Sequence, residues 1–182
     1  MSTHDEASVR AEVRAWLQQH WDIERSLVAW RGLLADSGWG MPHWPRAWYG
    51  RDLPVALLPV VEEEFESCGA VGVARIGIRL LAAATLLEHG NDSHKSRFLR
   101  RILTGEDSWC QLFSEPGSGS DLAGATTRAD NDGEGWGGKR AEAVDHQRSS
   151  CRVGLAARAH RLGRAETYRH VLLHHRHDAS RH

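Results

Sequence analysis

Residues Trp109–Ala129 read WCQLFSEPGSGSDLAGATTRA, and this stretch decides the fold. Its first five residues are typical of a β-strand. The following segment, Ser114–Asp121, contains Gly117 and Gly119, which let main-chain N–H groups approach a ligand closely. By chemistry alone the segment is either a cofactor or anion loop or an ordinary solvent loop, and short glycine motifs by themselves favour the solvent loop.

Upstream of this strand, the spacing of apolar residues predicts three helices. Val9, Val13, Trp16 and Leu17 mark a helix of about 15 residues that begins near Ser2 or Thr3. A second helix runs through residues 27–34 and ends at Gly38. A third covers residues 57–69, with Pro59 in its first turn and its acidic residues mainly on a solvated outer side: Glu62, Glu63, Glu64 and Glu66.

Two more helices are predicted before the strand, and an aromatic loop at residues 38–54 separates the second helix from the third. The apolar segment 73–89 has the pattern of a helix buried in a bundle and stops at Gly90. Asn91 or Asp92 caps the last helix, and Gly105 closes it. The architecture changes from α to β after this point.

Charge and cysteine content exclude several classes of protein. The chain has 23 Lys and Arg against 24 Asp and Glu, so we expect no nucleic-acid partner. It shows no secretory signal pattern and no long apolar segment, so we expect a soluble, cytoplasmic protein without a membrane partner. Cys68, Cys110 and Cys151 are widely spaced, and we expect Cys68 and Cys110 to be buried, unreactive thiols.

The composition changes abruptly after Trp136. All eight tryptophans lie at or before this residue, whereas seven of the 12 histidines and nine arginines follow Gly137. No period of 3.6 or 2 is sustained in this tail, so it specifies no amphipathic element. We expect no metal site there, because its metal-ligating residues belong to an unpatterned run: His174, His175, His177 and Asp178.

The segment 109–129 resembles the flavin-contacting segment of acyl-CoA dehydrogenases. Three earlier stretches are also similar to that family: SGWGMPHWP, LLEHG and RFLRRILTGED. The resemblance runs from about Ala11 to Trp136. It implies a mostly α fold, in which an amino-terminal helical bundle is followed by the first strands of an incomplete β-barrel domain and a poorly ordered tail.

The resemblance also implies FAD as cofactor and an acyl-CoA substrate. It places four residues beside the isoalloxazine ring, namely Gln111, Leu112, Phe113 and Ser114. Gly119 and Ser120 would reach toward the cofactor phosphates and the acyl-CoA. The family's catalytic carboxylate belongs to a carboxyl-terminal helical domain, so we nominate no catalytic residue in this chain.

The tail has the character of an out-of-frame translation. Family members carry a segment similar to W-x-x-N-G-x-K-x-W-x-T, whereas Trp136 is followed here by GGKRAEAVDHQRSS. Reading the codons from Gly138 onward one base later can spell ANGQKLWTTSAAHAEWGLLLARTDW, which resembles the missing segment. Only the middle base of each shifted codon is free, so such a match in register is improbable by chance.

These observations divide the chain into three parts. Residues 1–105 form an amino-terminal helical domain, and residues 106–136 are the beginning of a middle β domain with the flavin-contacting loop. Residues 137–182 form a disordered or poorly packed tail. We expect a truncated acyl-CoA dehydrogenase, an FAD-dependent oxidoreductase of lipid β-oxidation, that is inactive alone. The intact protein is expected to be a homo- or hetero-oligomer. The alternative is a non-catalytic helical module that pairs with a related full-length subunit.

Overall fold

The computed structural model describes residues 5–73, 77–112, 128–131, 136–139, 153–158 and 170–175, the segments after Gln111 as backbone only. The chain divides into two compact units, Met1–Glu106 and Asp107–His182. The first unit holds five α-helices and the second holds short strands. The mostly α fold expected from the sequence is confirmed.

Side-chain caps define the first two helices. Helix α1 spans Glu6–His20, and the carboxylate of Asp5 accepts a hydrogen bond from the Ser8 N–H at 2.8 Å. The helix therefore begins at an Asp cap, later than the predicted Ser2 or Thr3 cap. Helix α2 spans Leu27–Ser37 and ends at Gly38, whose φ of 78° confirms the predicted left-handed residue.

Three further helices complete the bundle. Helix α3 spans Leu58–Ser67 with a proline in its first turn, as predicted. Helix α4 spans Ile78–His89 and so begins five residues later than the predicted Val73, because Gly77 precedes it at a φ of 97°, outside the helical region. Helix α5 spans Asp92–Thr104, and its predicted Asn91 cap and Gly105 terminus are both confirmed.

The core is built where α1 packs against α3, and α5 packs against both α2 and α4. Its largest buried side chain is Trp30, which is 1% exposed. The Trp30 indole N–H donates to the Val71 carbonyl at 2.6 Å. Two more tryptophan rings lie against it, Trp16 at 5.4 Å and Trp21 at 4.9 Å between centroids. These aromatic contacts tie α2 to the connection between α3 and α4.

The aromatic loop between α2 and α3 is ordered and packed, as predicted. Trp39 and Trp44 are buried. The guanidinium of Arg51 lies 4.0 Å from the centroid of the Trp39 ring, and it donates to the Ser37 carbonyl at 3.0 Å. Arg51 therefore holds the loop against the end of α2 while the loop contributes rings to the core.

The acidic face of α3 is solvated at only some positions, so the prediction for the run 62–66 is wrong at Glu64. That side chain is 4% exposed. Its carboxylate accepts hydrogen bonds from Arg14 Nε and Nη2, both at 2.8 Å, and from Arg10 Nη1 at 3.0 Å. Burial is tolerated because two guanidiniums from α1 neutralise the carboxylate.

The described residues of the second unit form five short strands in two sheets. Strands β1 (Trp109–Leu112), β4 (Val153–Arg158) and β5 (His170–His175) form one sheet in the order β1-β4-β5. Strands β2 (Arg128–Asn131) and β3 (Trp136–Lys139) form an antiparallel pair. Strands β4 and β5 fall in the tail, where the residue pattern predicted no regular element. Strands can pair there without an alternating pattern because the hydrogen bonds of a sheet join backbone groups.

The cysteines differ from expectation. Cys68 lies just beyond the end of α3 and is exposed, so its predicted burial is wrong. Its Sγ lies 3.5 Å from the carbonyl oxygens of Glu64 and Phe65. Cys110 is buried as predicted, but it is disulfide-bonded instead of being a free thiol.

Membrane-spanning helices are absent from the described ranges, since none of α1 to α5 combines the length and the apolar character that a bilayer crossing requires.

Candidate functional site

Strand β1 carries the first residues of the predicted flavin site. Trp109 and Cys110 are both buried, so the beginning of the strand is covered on both faces. Gln111 is exposed and pairs in parallel register with Leu155, and Leu112 pairs with Ala156. The strand therefore opens toward solvent at Gln111, whose amide can both donate and accept hydrogen bonds.

Only part of the predicted site falls within the described residues. Gln111 and Leu112 lie at the carboxyl end of β1. Phe113, Ser114, Gly119 and Ser120 lie outside the described residues, and their placement beside a flavin stays a prediction.

Two carboxylates of the helical unit are held in the ionised form. Hydrogen bonds from Arg14, and secondarily from Arg10, lower the pKa of Glu64 against the opposing effect of burial. The pKa of Asp36 is likewise lowered, mainly by Arg100, whose Nε and Nη2 donate to its two oxygens at 2.8 Å. Because a lowered pKa makes a carboxylate a poor proton acceptor, Glu64 and Asp36 serve structure and do not have the properties of a catalytic base.

Metal-ligating side chains do not come together in the described part of the chain, where no three His, Cys, Asp or Glu groups are placed to hold an ion. His174 and His175 lie on β5, and only their backbone is described. His177 and Asp178 lie outside the described residues.

The structure brings together residues that the sequence pattern did not single out. A recess of about 370 Å³ is lined by polar residues that include Asp36, Arg46, Tyr49 and Arg51. Arg51 is already bonded, since its Nη2 lies 3.1 Å from Glu12 Oε2. Sequence spacing held no signal for this recess, because its residues come from α2 and from the aromatic loop, which meet only after folding.

A helical bundle that leads into a β unit defines the class of this chain, and the family profile described as acyl-CoA dehydrogenase, N-terminal domain, matches residues 3–106. The matched residues are more than half of the chain and contain all five helices. The chain belongs to the acyl-CoA dehydrogenase family. The resemblance inferred from the sequence is thereby confirmed.

Individual relatives agree with this assignment. Acyl-CoA dehydrogenase FadE34 of Mycobacterium tuberculosis is 44% identical over 103 residues, which are 57% of this chain and 14% of that protein. Acyl-CoA dehydrogenase IpdE1 of the same organism is 34% identical over 150 residues, 72% of this chain and 39% of that protein. The chain thus spans well under half the length of these curated relatives.

Solved structures share the fold. The crystal structure of the ChsE4-ChsE5 complex from Mycobacterium tuberculosis superposes with a TM-score of 0.52 and 21% sequence identity, over 87% of this chain and 44% of that chain. At this identity the likeness establishes the fold alone.

Proposed function

We propose that this chain supplies the amino-terminal helical domain and the first flavin-contacting strand of an FAD-dependent acyl-CoA dehydrogenase. The observation that carries the proposal is the family match over residues 3–106, which ends where α5 gives way to β1. The next residues, Gln111–Ser114, are those that the family resemblance places beside the flavin. Acyl-CoA is the proposed substrate class.

The reaction follows from the family. FAD, when bound, would supply the hydride acceptor for the α,β-dehydrogenation of an acyl thioester, and a carboxylate base outside these 182 residues would take the α proton. In this chain the Ser114 hydroxyl would donate toward the pyrimidine edge of the flavin and would stabilise the negative charge of the reduced ring. Ser120 is proposed to position the substrate or cofactor and does not react.

The 182 residues contain no segment that resembles the family's catalytic base region. We therefore propose that this polypeptide, tested by itself, does not oxidise acyl-CoA. We also propose that the reading frame shifts near Gly137, because the alternative frame, with wobble bases chosen freely, can spell the expected Asn, Gly, Lys, Trp and Thr in register after Trp136.

The frame proposal is tested first at the DNA level. Sequencing the gene across codons 130–145 is expected to reveal a base inserted or lost relative to the family frame. A homologous gene that encodes GGKRAEAVDHQRSS in an intact frame would contradict the shift.

The flavin proposal is tested with the frame-restored gene. Its product is expected to purify with flavin absorbance and to be bleached by acyl-CoA under anaerobic conditions, whereas the 182-residue chain is expected to show neither property. A restored product that holds no flavin after incubation with FAD and removal of unbound FAD would refute the flavin site.

Two matched serine variants of the frame-restored protein test the role of Ser114. Ser114→Ala is expected to lower the reduction potential of the flavin, because the reduced ring loses a hydrogen-bond donor. Ser118→Ala removes a hydroxyl from the same loop at a position with no proposed flavin contact, and its potential is expected to match the unmodified protein. Equal potentials in all three proteins would show that Ser114 does not face the ring.

A second candidate is a non-catalytic helical module that pairs with a related full-length subunit. The observation in its favour is a set of exposed apolar side chains near the start of α2. Ile23 is 82% exposed, Leu27 47% and Val28 75%. Co-purification of the 182-residue chain with a full-length acyl-CoA dehydrogenase subunit, lost in an Ile23→Ser, Val28→Ser variant, would favour this function.

A further inference from the structure

A polar recess opens where the carboxyl end of α2 faces the aromatic loop. Asp36, Ser37 and Gly38 line one wall, and residues of the turn 46–51 line the other. The volume of the recess, about 370 Å³, lies within the range of about 300–1,000 Å³ that is typical of small-molecule sites. At about 30 Å³ for each molecule of liquid water, this is the volume of about a dozen waters. The recess therefore has room for a small organic ligand.

Close backbone packing fixes the shape of the recess. A methyl group built on Gly38 would lie 2.6 Å from the Gly50 carbonyl oxygen, and one built on Gly50 would overlap the Trp44 carbonyl. Tyr49 has a φ of 65°, in the left-handed region that non-glycine residues rarely adopt. Such strain persists only where the surrounding structure holds it, and it is concentrated at functional sites. The two walls are therefore held in place before a ligand binds.

The charges that line the recess are balanced. Each of the three charged side chains is paired with an opposite charge: Asp36 with Arg100 at 2.8 Å, Arg51 with Glu12 at 3.1 Å and Arg46 with Asp52 at 3.6 Å. A neutral pair exerts little net attraction on an ion, and an ion would lose part of its hydration on entering. The recess therefore favours an uncharged ligand.

The paired groups keep further capacity for hydrogen bonds. Each oxygen of a carboxylate has two lone pairs, and a guanidinium has five N–H donors. Arg51 uses one donor at the Ser37 carbonyl, at 3.0 Å, and another at Glu12, at 3.1 Å. The recess thus presents the Asp36 acceptors on one wall and guanidinium donors on the other. This arrangement suits hydroxyl groups, which donate and accept at the same time.

We propose that this recess binds a neutral cyclic polyol of monosaccharide size. The hydroxyls of the ligand donate to Asp36 and accept from Arg46 and Arg51, and its C–H face lies against the Tyr49 ring. A single amide group is a poorer match, because it cannot reach both walls of a recess this large. The site is built from the helical unit alone and does not depend on the proposed flavin site.

The site is tested by titrating D-glucose into the ¹⁵N-labelled 182-residue chain. Saturable shifts are expected at the backbone N–H signals of Gly38 and Gly50 and at the Nε–H signal of Arg46. The expected Kd is on the order of millimolar, because an open recess contacts only part of so small a ligand. Melting temperature is not a suitable readout, since sugars raise it by exclusion from the protein surface. Shifts that are absent, or that grow without saturation over the whole chain, would refute the site.

Two further titrations test the class of ligand. Sodium phosphate and acetamide, at the concentrations used for glucose and at constant ionic strength, are expected to cause no saturable shift at the same three signals. A saturable response to phosphate would assign the recess to an anion, and an equal response to acetamide would assign it to an amide. Either result overturns the polyol proposal.

Two variants test the two walls separately. Asp36→Asn and Arg46→Gln each remove one charged hydrogen-bonding group, so each is expected to weaken glucose binding about tenfold. Arg25→Gln is the matched control at an exposed arginine outside the recess, and its Kd is expected to stay within about twofold of the unmodified chain. An unchanged Kd in either recess variant would contradict the contact assigned to that wall. If a variant does not fold, the titration of the unmodified chain still decides the proposal.

Discussion

Replacing Glu64 by Gln removes the negative charge from the α1–α3 contact. The carboxylate accepts three hydrogen bonds of 2.8–3.0 Å from Arg14 and Arg10. The glutamine keeps one acceptor oxygen and turns an N–H₂ donor toward a guanidinium. A hydrogen bond to a charged group contributes about 1.5–3 kcal/mol to stability. Because the arginines regain water when the carboxylate is removed, we expect the free energy of unfolding to fall by about 2–3 kcal/mol.

This loss has a defined pH dependence. The folded protein lowers the pKa of Glu64 from its ordinary 4.5. The ionised carboxylate therefore stabilises the fold fully at pH values above the pKa that Glu64 has in the unfolded chain. The contribution is lost as the pH falls through the lower, folded pKa. The difference in unfolding free energy between the unmodified chain and Glu64→Gln is therefore expected to be constant near neutrality and to shrink below about pH 4.5.

Thermal or urea unfolding followed by circular dichroism measures the effect. For a domain of this size, 2–3 kcal/mol corresponds to a Tm lower by about 10–15 °C. The matched control is Glu66→Gln, the same substitution two residues later on α3 at an exposed position, and its Tm is expected to stay within about 3 °C of the unmodified chain because exposed surface substitutions cost little. Equal Tm values for both variants at pH 7 would refute the reasoning.

Three further substitutions test the fold by the same unfolding measurement. Trp30→Phe removes the indole hydrogen bond to Val71 and part of the core volume, so a loss of about 2 kcal/mol is expected, and an unchanged midpoint would contradict it. Gly50→Ala is expected to cost about 2 kcal/mol or more, because the added methyl group overlaps the Trp44 carbonyl; a neutral effect would mean that the loop relaxes freely. Asn91→Ala removes the α5 cap and is expected to cost about 1 kcal/mol, with helicity measured in parallel, and full retention of stability would show that the cap is dispensable.

The positions of most helix ends were predictable because they depend on neighbouring residues. Gly38 and Gly105 end α2 and α5 with positive φ, and Asn91 caps α5 through its own side chain. Each of these signals acts within one helical turn. The start of α4 was not predictable in the same way, because the apolar pattern beginning at Val73 favoured an earlier start, whereas Gly77 adopts a φ of 97° immediately before α4 begins at Ile78.

The candidate flavin site was predictable only through the family resemblance. Its composition, two glycines and several serines, fits many solvent loops. The structure adds that Gln111 and Leu112 lie at the carboxyl end of a paired strand. The roles of Ser114, Gly119 and Ser120 stay predictions until they are tested in the frame-restored protein.

The sequence by itself determined the helical bundle and several helix ends, because periodicity, capping and turn chemistry are local and are written in short segments. The family followed from the resemblance of longer stretches. Only the tertiary structure decided that Glu64 is buried between Arg10 and Arg14, and that Asp36 at the polar recess is paired with Arg100. The residues in each group lie tens of positions apart, and their energies depend on burial and distance. Those quantities exist only once the helices have packed against one another.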